Sequence, residues 1–144
     1  MTWQELKVRQ LLQSENHPFE YQKVFQIGKR RFIVDFFLYS RIILECTSTA
    51  MNKYQVPLCK KAIHLQAKST HLSCAFGYPI WVLLEATQPI GERFYHTLLE
   101  LMPSVDQILF SCDELFEHLL IHKNFLHLFS SFQFNSHLEQ EGIK

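Results

Sequence analysis

Two carboxylates in otherwise apolar segments are the residues of this chain whose type and spacing point most directly to chemistry. Asp35 lies in "RFIVDFFLY" and Glu45 lies in "RIILECTS", and both segments have the composition of buried strands. A buried carboxylate is costly unless an opposite charge, hydrogen bonds or a metal ion compensates it. The two segments therefore predict a compensating partner for both acids.

The predicted turn between the two strands brings these acids together. Residues 39–41 form a short loop of a length common in hairpins, and this register places Asp35 directly opposite Glu45. Because side chains alternate along a strand, both acids share one face of the sheet, and Thr47 lies beside Glu45 on that face. Two carboxylates in direct cross-strand opposition repel each other.

A divalent cation would remove this repulsion. Mg²⁺ and Mn²⁺ are hard cations that one or two carboxylates hold together with backbone oxygens and water. The alternative is that each acid points outward at a strand end or pairs with Arg30, Arg31 or Arg41. The opposition of both acids within apolar strands favours the metal site over that alternative.

The elements that must position the acids follow from hydrophobic periodicity and from capping signals. Thr2 and Glu5 form a capping box that begins a first helix, and three strands follow it as a meander. A helix, a strand, a helix, a strand and a last helix complete the order. The predicted fold class is α/β, more closely α+β with a mixed sheet. A central mixed β-sheet would be flanked by helices in a single domain over residues 1–144.

Composition narrows the function classes. The 144 residues have a formal net charge of zero, but residues 1–70 hold eleven Lys and Arg against five Asp and Glu, and residues 71–144 hold three against nine. A basic half can bind a polyanion, although the same charges also suit solvated helix faces. No run of about 18 uncharged apolar residues is present, and the four cysteines are scattered, so we expect a cytoplasmic protein.

A basic cluster near the first hairpin is the candidate nucleic-acid-binding surface, although a solvated turn explains it nearly as well. Its members, with a lysine from the following loop, are Lys23, Lys29, Arg30, Arg31, Arg41 and Lys53.

The sequence resembles the restriction-endonuclease-like superfamily, which is known by its PD-(D/E)XK motif. The resemblance covers about residues 2–86, through an acid on the first helix, "FEYQKVFQIGKRRFIVDFFL", "RIILECT", a basic helix and "YPIWVLLE". It implies a restriction-endonuclease-like core in which Asp35 and Glu45 are metal ligands and the backbone carbonyl of Cys46 completes the protein ligands. Glu5 is an additional candidate ligand, and its capping role explains it equally well.

Two positions depart from the motif. Val34 replaces the proline, which is common in the superfamily, and Thr47 stands where the lysine should be. A lysine from the following helix, Lys60 or Lys61, could replace the missing charge, with Lys53 as a more distant candidate. Otherwise a second metal ion supplies that charge, or the site is inactive.

These features predict a metal-dependent endonuclease that hydrolyses DNA phosphodiester bonds with Mg²⁺ or Mn²⁺, with RNA left open as the substrate. Its catalytic residues would be Asp35, Glu45, Lys60 and Lys61. The alternative is an inactive nuclease-fold protein that binds nucleic acid or a partner protein, and Thr47 favours that alternative. The aromatic C-terminal segment, with Phe125, Leu126, Phe129, Phe132 and Phe134, predicts a homodimer contact or a completion of the core.

Overall fold

A computed structural model describes residues 2–49, 56–86 and 90–125 of the chain. Contacts divide the chain into two compact units, Met1–Cys112 and Asp113–Lys144, so the single-domain prediction stays a prediction. Residues 112–125 are helical. The other elements are α1 (Trp3–Ser14), β1 (Phe19–Ile27), β2 (Arg30–Leu38), β3 (Ile42–Thr49), α2 (Val56–Phe76), β4 (Ile80–Ala86), α3 (Glu92–Leu101) and β5 (Gln107–Leu109).

The strands of the first unit form one five-stranded mixed sheet in the order β1-β2-β3-β4-β5. The first three strands are antiparallel neighbours, whereas β4 pairs in parallel with both β3 and β5. The helices α1 and α2 both contact β3. The structure therefore confirms the predicted order of elements and the mixed sheet flanked by helices.

Two hairpin turns fix the register of the antiparallel part. Gly28 and Lys29 join β1 to β2, and Gly28 has a φ of 59°, a backbone conformation that glycine adopts without steric cost. Tyr39 and Ser40 join β2 to β3 with φ values of 54° and 53°, and Arg41 N donates a hydrogen bond to the Leu38 carbonyl. The predicted loop over residues 39–41 is therefore confirmed.

The pairing of β1 with β2 is interrupted at one position. Tyr21 pairs with Phe36 and Lys23 with Val34, but the intervening pair, Gln22 opposite Asp35, is absent from the ladder. Gln22 has a φ of 51°, which is rare for a residue other than glycine.

Both strands change faces at this interruption. The Phe36 ring packs against Tyr21, whereas the Phe37 ring packs against Phe25. Since neighbouring residues of a strand point to opposite faces, Tyr21 and Phe25 lie on opposite faces although they are four residues apart. The Tyr21 face meets α1, whose Arg9 lies over the Tyr21 ring, and the Phe25 face meets Leu72 of α2.

Buried apolar residues form the core, and two of its clusters include residues of α2. One cluster joins the first hairpin to α2 and contains Phe25, Phe32, Val34, Phe37, Ile43, Leu72 and Ile80. A second cluster joins α2, β4, α3 and β5 and contains Ala62, Val82, Leu84, Leu98, Met102 and Ile108. Over the described ranges, no helix has the length and apolar character needed to cross a membrane. Lys53 and the C-terminal residues from 126 onwards, with the predicted dimer contact, lie outside the described residues.

Candidate metal and catalytic site

The strands β2 and β3 separate at the predicted site. Their ladder ends at Phe36 paired with Leu44, one position before Asp35 would face Glu45. Instead of a ladder partner, the Cys46 backbone N–H donates a hydrogen bond of 2.8 Å to Asp35 Oδ2. The Asp35 carboxylate therefore lies in the gap between the two strands, which explains why the β1–β2 ladder is interrupted at the same residue.

Glu45 lies on the face of β3 that meets α2, and only 6% of it is exposed. Its compensating charge comes from that helix, because Lys68 Nζ lies 2.8 Å from Glu45 Oε1. The same ammonium group donates a hydrogen bond to the Ile33 carbonyl of β2. Lys68 thus spans the gap between the two separated strands. No arginine in the described ranges forms an ion pair with Asp35 or Glu45.

The acids perturb each other's ionisation. The pKa of Glu45 is raised to about 8, chiefly by burial and also by the neighbouring Asp35, while the attraction of Lys68 acts to lower it. Burial also raises the pKa of Asp35, although the Cys46 N–H acts to lower it and Glu5 to raise it. Asp35 and Glu45, which we call the acid pair, are therefore close enough to compete for protons.

Glu5 brings a third carboxylate to the acid pair. The capping box is confirmed, since Thr2 N donates to Glu5 Oε2 at 2.8 Å and Glu5 N donates to Thr2 Oγ1 at 3.1 Å. Burial acts to raise the pKa of Glu5, but hydrogen bonds from Thr2 and from Asp35 outweigh it and lower the pKa. Glu5 thus caps α1 and also contacts Asp35, whereas its role as a metal ligand stays a prediction.

The oxygen atoms of the acid pair and of the Cys46 carbonyl are ligands that suit Mg²⁺ or Mn²⁺. Glu45 Oε1 is buried and has no hydrogen bond of acceptable geometry, although Lys68 lies within ion-pair distance. Glu45 thus lies between the Lys68 ammonium group and a second acid, Asp35. A hard cation would bind the Glu45 oxygen that lacks a hydrogen bond. Across the described ranges, no group of three or more His, Cys, Asp and Glu side chains is arranged to hold a metal ion. The predicted ligands are the two carboxylates of the acid pair and the Cys46 carbonyl, with Glu5 as an additional candidate.

The predicted lysines lie away from the acid pair. Lys61 donates a hydrogen bond to the Ser48 carbonyl near the end of β3, and Lys60 is exposed. Neither forms an ion pair with Asp35 or Glu45 among the described residues, and Lys53 lies outside them. The lysine that contacts Glu45 is Lys68, on the predicted helix but two turns further along it.

Sequence reasoning also missed the position of Tyr21. Its hydroxyl group is buried and has no hydrogen-bond partner among the described residues. Burial raises its pKa, and the charges of Glu5 and Asp35 raise it further, so the phenol faces the acids as a neutral donor.

Burial also raises the pKa of the Cys46 thiol well above its usual value, which disfavours a nucleophilic thiolate there.

The basic residues of the first hairpin divide between its two faces. The Arg30 guanidinium lies 5.0 Å from the centre of the Phe32 ring, and its Nη1 is 3.3 Å from His71 Nε2. Lys23 Nζ lies 3.5 Å from Glu20 Oε1. The remaining members of the basic cluster that the structure describes are exposed, namely Lys29, Arg31 and Arg41.

Gln4 fixes the start of α1 against the site. Its Nε2 donates to the Thr47 carbonyl at 3.1 Å, and Thr47 is the residue at the motif lysine position. Lys61 binds the next carbonyl, that of Ser48, so side chains from α1 and α2 hold consecutive carbonyls near the end of β3.

Comparisons of the chain with protein-family models, with curated proteins and with solved structures find no match.

Proposed function

We propose that this chain is a divalent-metal-dependent endonuclease with a restriction-endonuclease-like core, acting on DNA phosphodiester bonds. The observation that carries the proposal is the convergence of Asp35, Glu45 and Lys68 where β2 and β3 separate. Two acids and one ammonium group at a gap in a sheet combine cation ligands with a positive charge for a phosphate group. The order of elements is consistent with the superfamily that the sequence resembles.

Each group has a distinct role in this proposal. Asp35, Glu45 and the Cys46 carbonyl would hold the cation, with Glu5 next to Asp35 as a further carboxylate. When bound, Mg²⁺ or Mn²⁺ supplies the charge that acidifies water and offsets the negative phosphate. Lys68, held in place by Glu45 and the Ile33 carbonyl, would stabilise the charge that develops on the phosphate oxygens. Water adds to phosphorus, the bond to one sugar oxygen breaks, and that oxygen takes up a proton.

Lys68 weakens the case for an inactive protein. Thr47 favours that alternative only if no other residue supplies the positive charge of the motif lysine. Glu45 and Thr47 lie on the same face of β3, and α2 brings the Lys68 ammonium to that face. The α2 lysine can therefore serve the role that the sequence assigned to Lys60 or Lys61.

Calorimetry with Mn²⁺ followed by incubation with supercoiled plasmid tests the proposal. We expect one binding event, nicking that EDTA abolishes, and loss of both in Glu45→Gln. Glu92→Gln is the matched control, since Glu92 is an exposed acid on α3. DNA binding without Mn²⁺ binding or nicking in the wild type would instead support the inactive, nucleic-acid-binding alternative.

A further inference from the structure

The first hairpin extends well past the point where β3 separates from β2. The last β2–β3 pair is at Phe36, whereas the β1–β2 pairing continues to Arg30. Six residues of strand correspond to about 20 Å. This ribbon packs on α2 through one face only, through Phe25, Phe32 and Val34.

The opposite face of the ribbon is exposed along its whole length. Cross-strand pairs on this face are Val24 with Ile33 and Gln26 with Arg31. Val24 is 38% exposed and Ile33 is 52% exposed, unusually high values for aliphatic residues of a sheet. We call the exposed residues Val24, Gln26, Arg31 and Ile33 the hairpin face.

The hairpin face has the chemistry of a surface that contacts base edges. It carries one side-chain amide, one guanidinium group and two aliphatic side chains, and none of its four residues is acidic. Guanidinium groups pair with guanine, side-chain amides pair with adenine, and aliphatic groups contact the thymine methyl in the major groove of DNA. Gln26 Nε2 donates to the Gly28 carbonyl at 3.1 Å, which orients this amide.

The hairpin face adjoins the gap that holds Asp35, whereas Glu45 and Lys68 lie on the opposite, α2 side of the sheet. Ile33 lies two residues before Asp35 on β2, and its carbonyl accepts a hydrogen bond from Lys68. A duplex that presents a phosphate at the gap between β2 and β3 would therefore have its neighbouring base pairs beside this ribbon.

We propose that the hairpin face binds in the major groove of a B-form DNA duplex next to the scissile phosphate, with Arg31 as its principal base-contacting residue. The inference rests on the proposed function, because it is the acid pair that places the duplex beside the ribbon. A two-stranded ribbon fits the B-form major groove, about 12 Å wide, but not the minor groove, about 6 Å wide. The deep, narrow major groove of double-stranded RNA does not admit it, so the hairpin face selects DNA.

Fluorescence anisotropy of the full chain in EDTA tests the proposal without cleavage, with a labelled DNA duplex as the probe. We expect Arg31→Ala to weaken duplex binding about tenfold. Arg93→Ala, at an exposed arginine on α3 outside the basic cluster, should leave it unchanged. Wild-type protein should bind two other probes as weakly as Arg31→Ala binds ordinary DNA, namely a duplex with 7-deazaguanine in place of guanine and an RNA duplex of the same sequence.

A second variant separates base contacts from charge. Arg31→Lys keeps the positive charge but cannot form the paired hydrogen bonds of a guanidinium group. It should therefore show a smaller preference for guanine over 7-deazaguanine than the wild type, and this holds even if Arg31→Ala fails to fold. Equal binding of the guanine and 7-deazaguanine duplexes by the wild type would overturn the proposal, as would an unchanged preference in Arg31→Lys. Plasmid nicking without this preference would contradict the hairpin-face proposal alone, whereas the preference without Mn²⁺ binding would contradict the nuclease.

Discussion

Lys68 is the residue on which the proposed chemistry depends most. It is the described cation that contacts the buried Glu45, and the same ammonium group reaches the Ile33 carbonyl across the gap between β2 and β3. A lysine held by two acceptors on different strands has little rotameric freedom. Its charge is therefore positioned before a phosphate arrives, which is the condition for efficient electrostatic stabilisation.

We predict that Lys68→Ala lowers the rate constant for DNA cleavage by about a hundred- to a thousandfold, as expected when one preorganised charged donor is removed. Single-turnover cleavage of a labelled duplex at saturating Mn²⁺ measures this rate. Lys60→Ala is the matched control, because Lys60 is an exposed lysine on the same helix. A normal rate in Lys68→Ala, or an equal loss in Lys60→Ala, would mean that Lys68 does not supply the positive charge of the motif lysine.

The ionisation of Glu45 predicts a pH dependence of stability without metal. Burial raises its pKa in the folded chain to about 8, above the usual 4.5. A carboxyl group with a raised pKa stabilises the fold through its protonated form, so this contribution is complete below pH 4.5 and declines as the pH rises to about 8.

In EDTA, the thermal midpoint of the wild type should fall across this pH window more steeply than that of Glu45→Gln, whose amide does not ionise. Thermal unfolding followed by circular dichroism at closely spaced pH values measures both slopes. Parallel slopes would mean that Glu45 is ionised throughout and that Lys68 outweighs burial.

At the scale of the elements, the sequence predicts where the acids lie but not which lysine meets them. Hydrophobic runs and the turn over residues 39–41 are local signals, so the order of strands and the closeness of Asp35 to Glu45 follow from them. The predicted direct opposition of the two acids on one face is wrong, because the strands separate there and Asp35 accepts a hydrogen bond from the Cys46 N–H in the gap. The position of α2 against β3 is a tertiary feature. Lys61 contacts Ser48, and Lys68 contacts Glu45.

Helix and strand geometry explain this spacing after the fact. Seven helical residues rise about 10.5 Å and three strand residues rise about 10 Å, so a helix running antiparallel to β3 brings the later lysine beside the acid. Knowledge of one contact between α2 and β3 would have been enough to identify Lys68 as the lysine beside Glu45. Sequence periodicity alone does not provide that contact.

The interruption of the β1–β2 ladder at Gln22 also could not be predicted from the sequence. Glutamine has no special tendency towards a positive φ, and nothing in "FEYQKVFQI" marks a change of faces. The conformation follows from Asp35, which points into the gap beside β3 and not to either face of the sheet. Backbone strain is thus located directly opposite a proposed metal ligand, as is common at functional sites.

This strain predicts an unusual order of stabilities. At position 22, where φ is 51°, glycine should be more stable than alanine by about 1 kcal/mol, because only glycine adopts this conformation without a steric cost. Urea unfolding of Gln22→Gly and Gln22→Ala measures the difference. Gln26→Gly and Gln26→Ala are the control pair on the same strand, and there glycine should be less stable by about 0.5–1 kcal/mol. The same order at both positions would show that residue 22 is not strained.

At the scale of the whole molecule, the charge asymmetry of the sequence matches the location of the proposed site. Residues 1–70 have a net charge of +6, and they contain the acid pair, Lys68 and the first hairpin. A local excess of positive charge attracts a polyanion even when the chain is neutral overall. DNA binding by this protein should therefore weaken steeply with salt, as expected when phosphate contacts release counterions.

Metal binding should be visible as stabilisation of the folded chain, because only folding brings Asp35 and Glu45 together. A ligand at a hundredfold excess over its dissociation constant stabilises the folded state by about 2.7 kcal/mol. We therefore expect Mn²⁺ to raise the thermal midpoint of the wild type and of Glu92→Gln, and EDTA to reverse the rise. Asp35→Asn and Glu45→Gln should show almost no rise, since each removes one of two carboxylate ligands. An equal rise in all four proteins would place the bound Mn²⁺ away from the acid pair and remove the basis of the proposed nuclease.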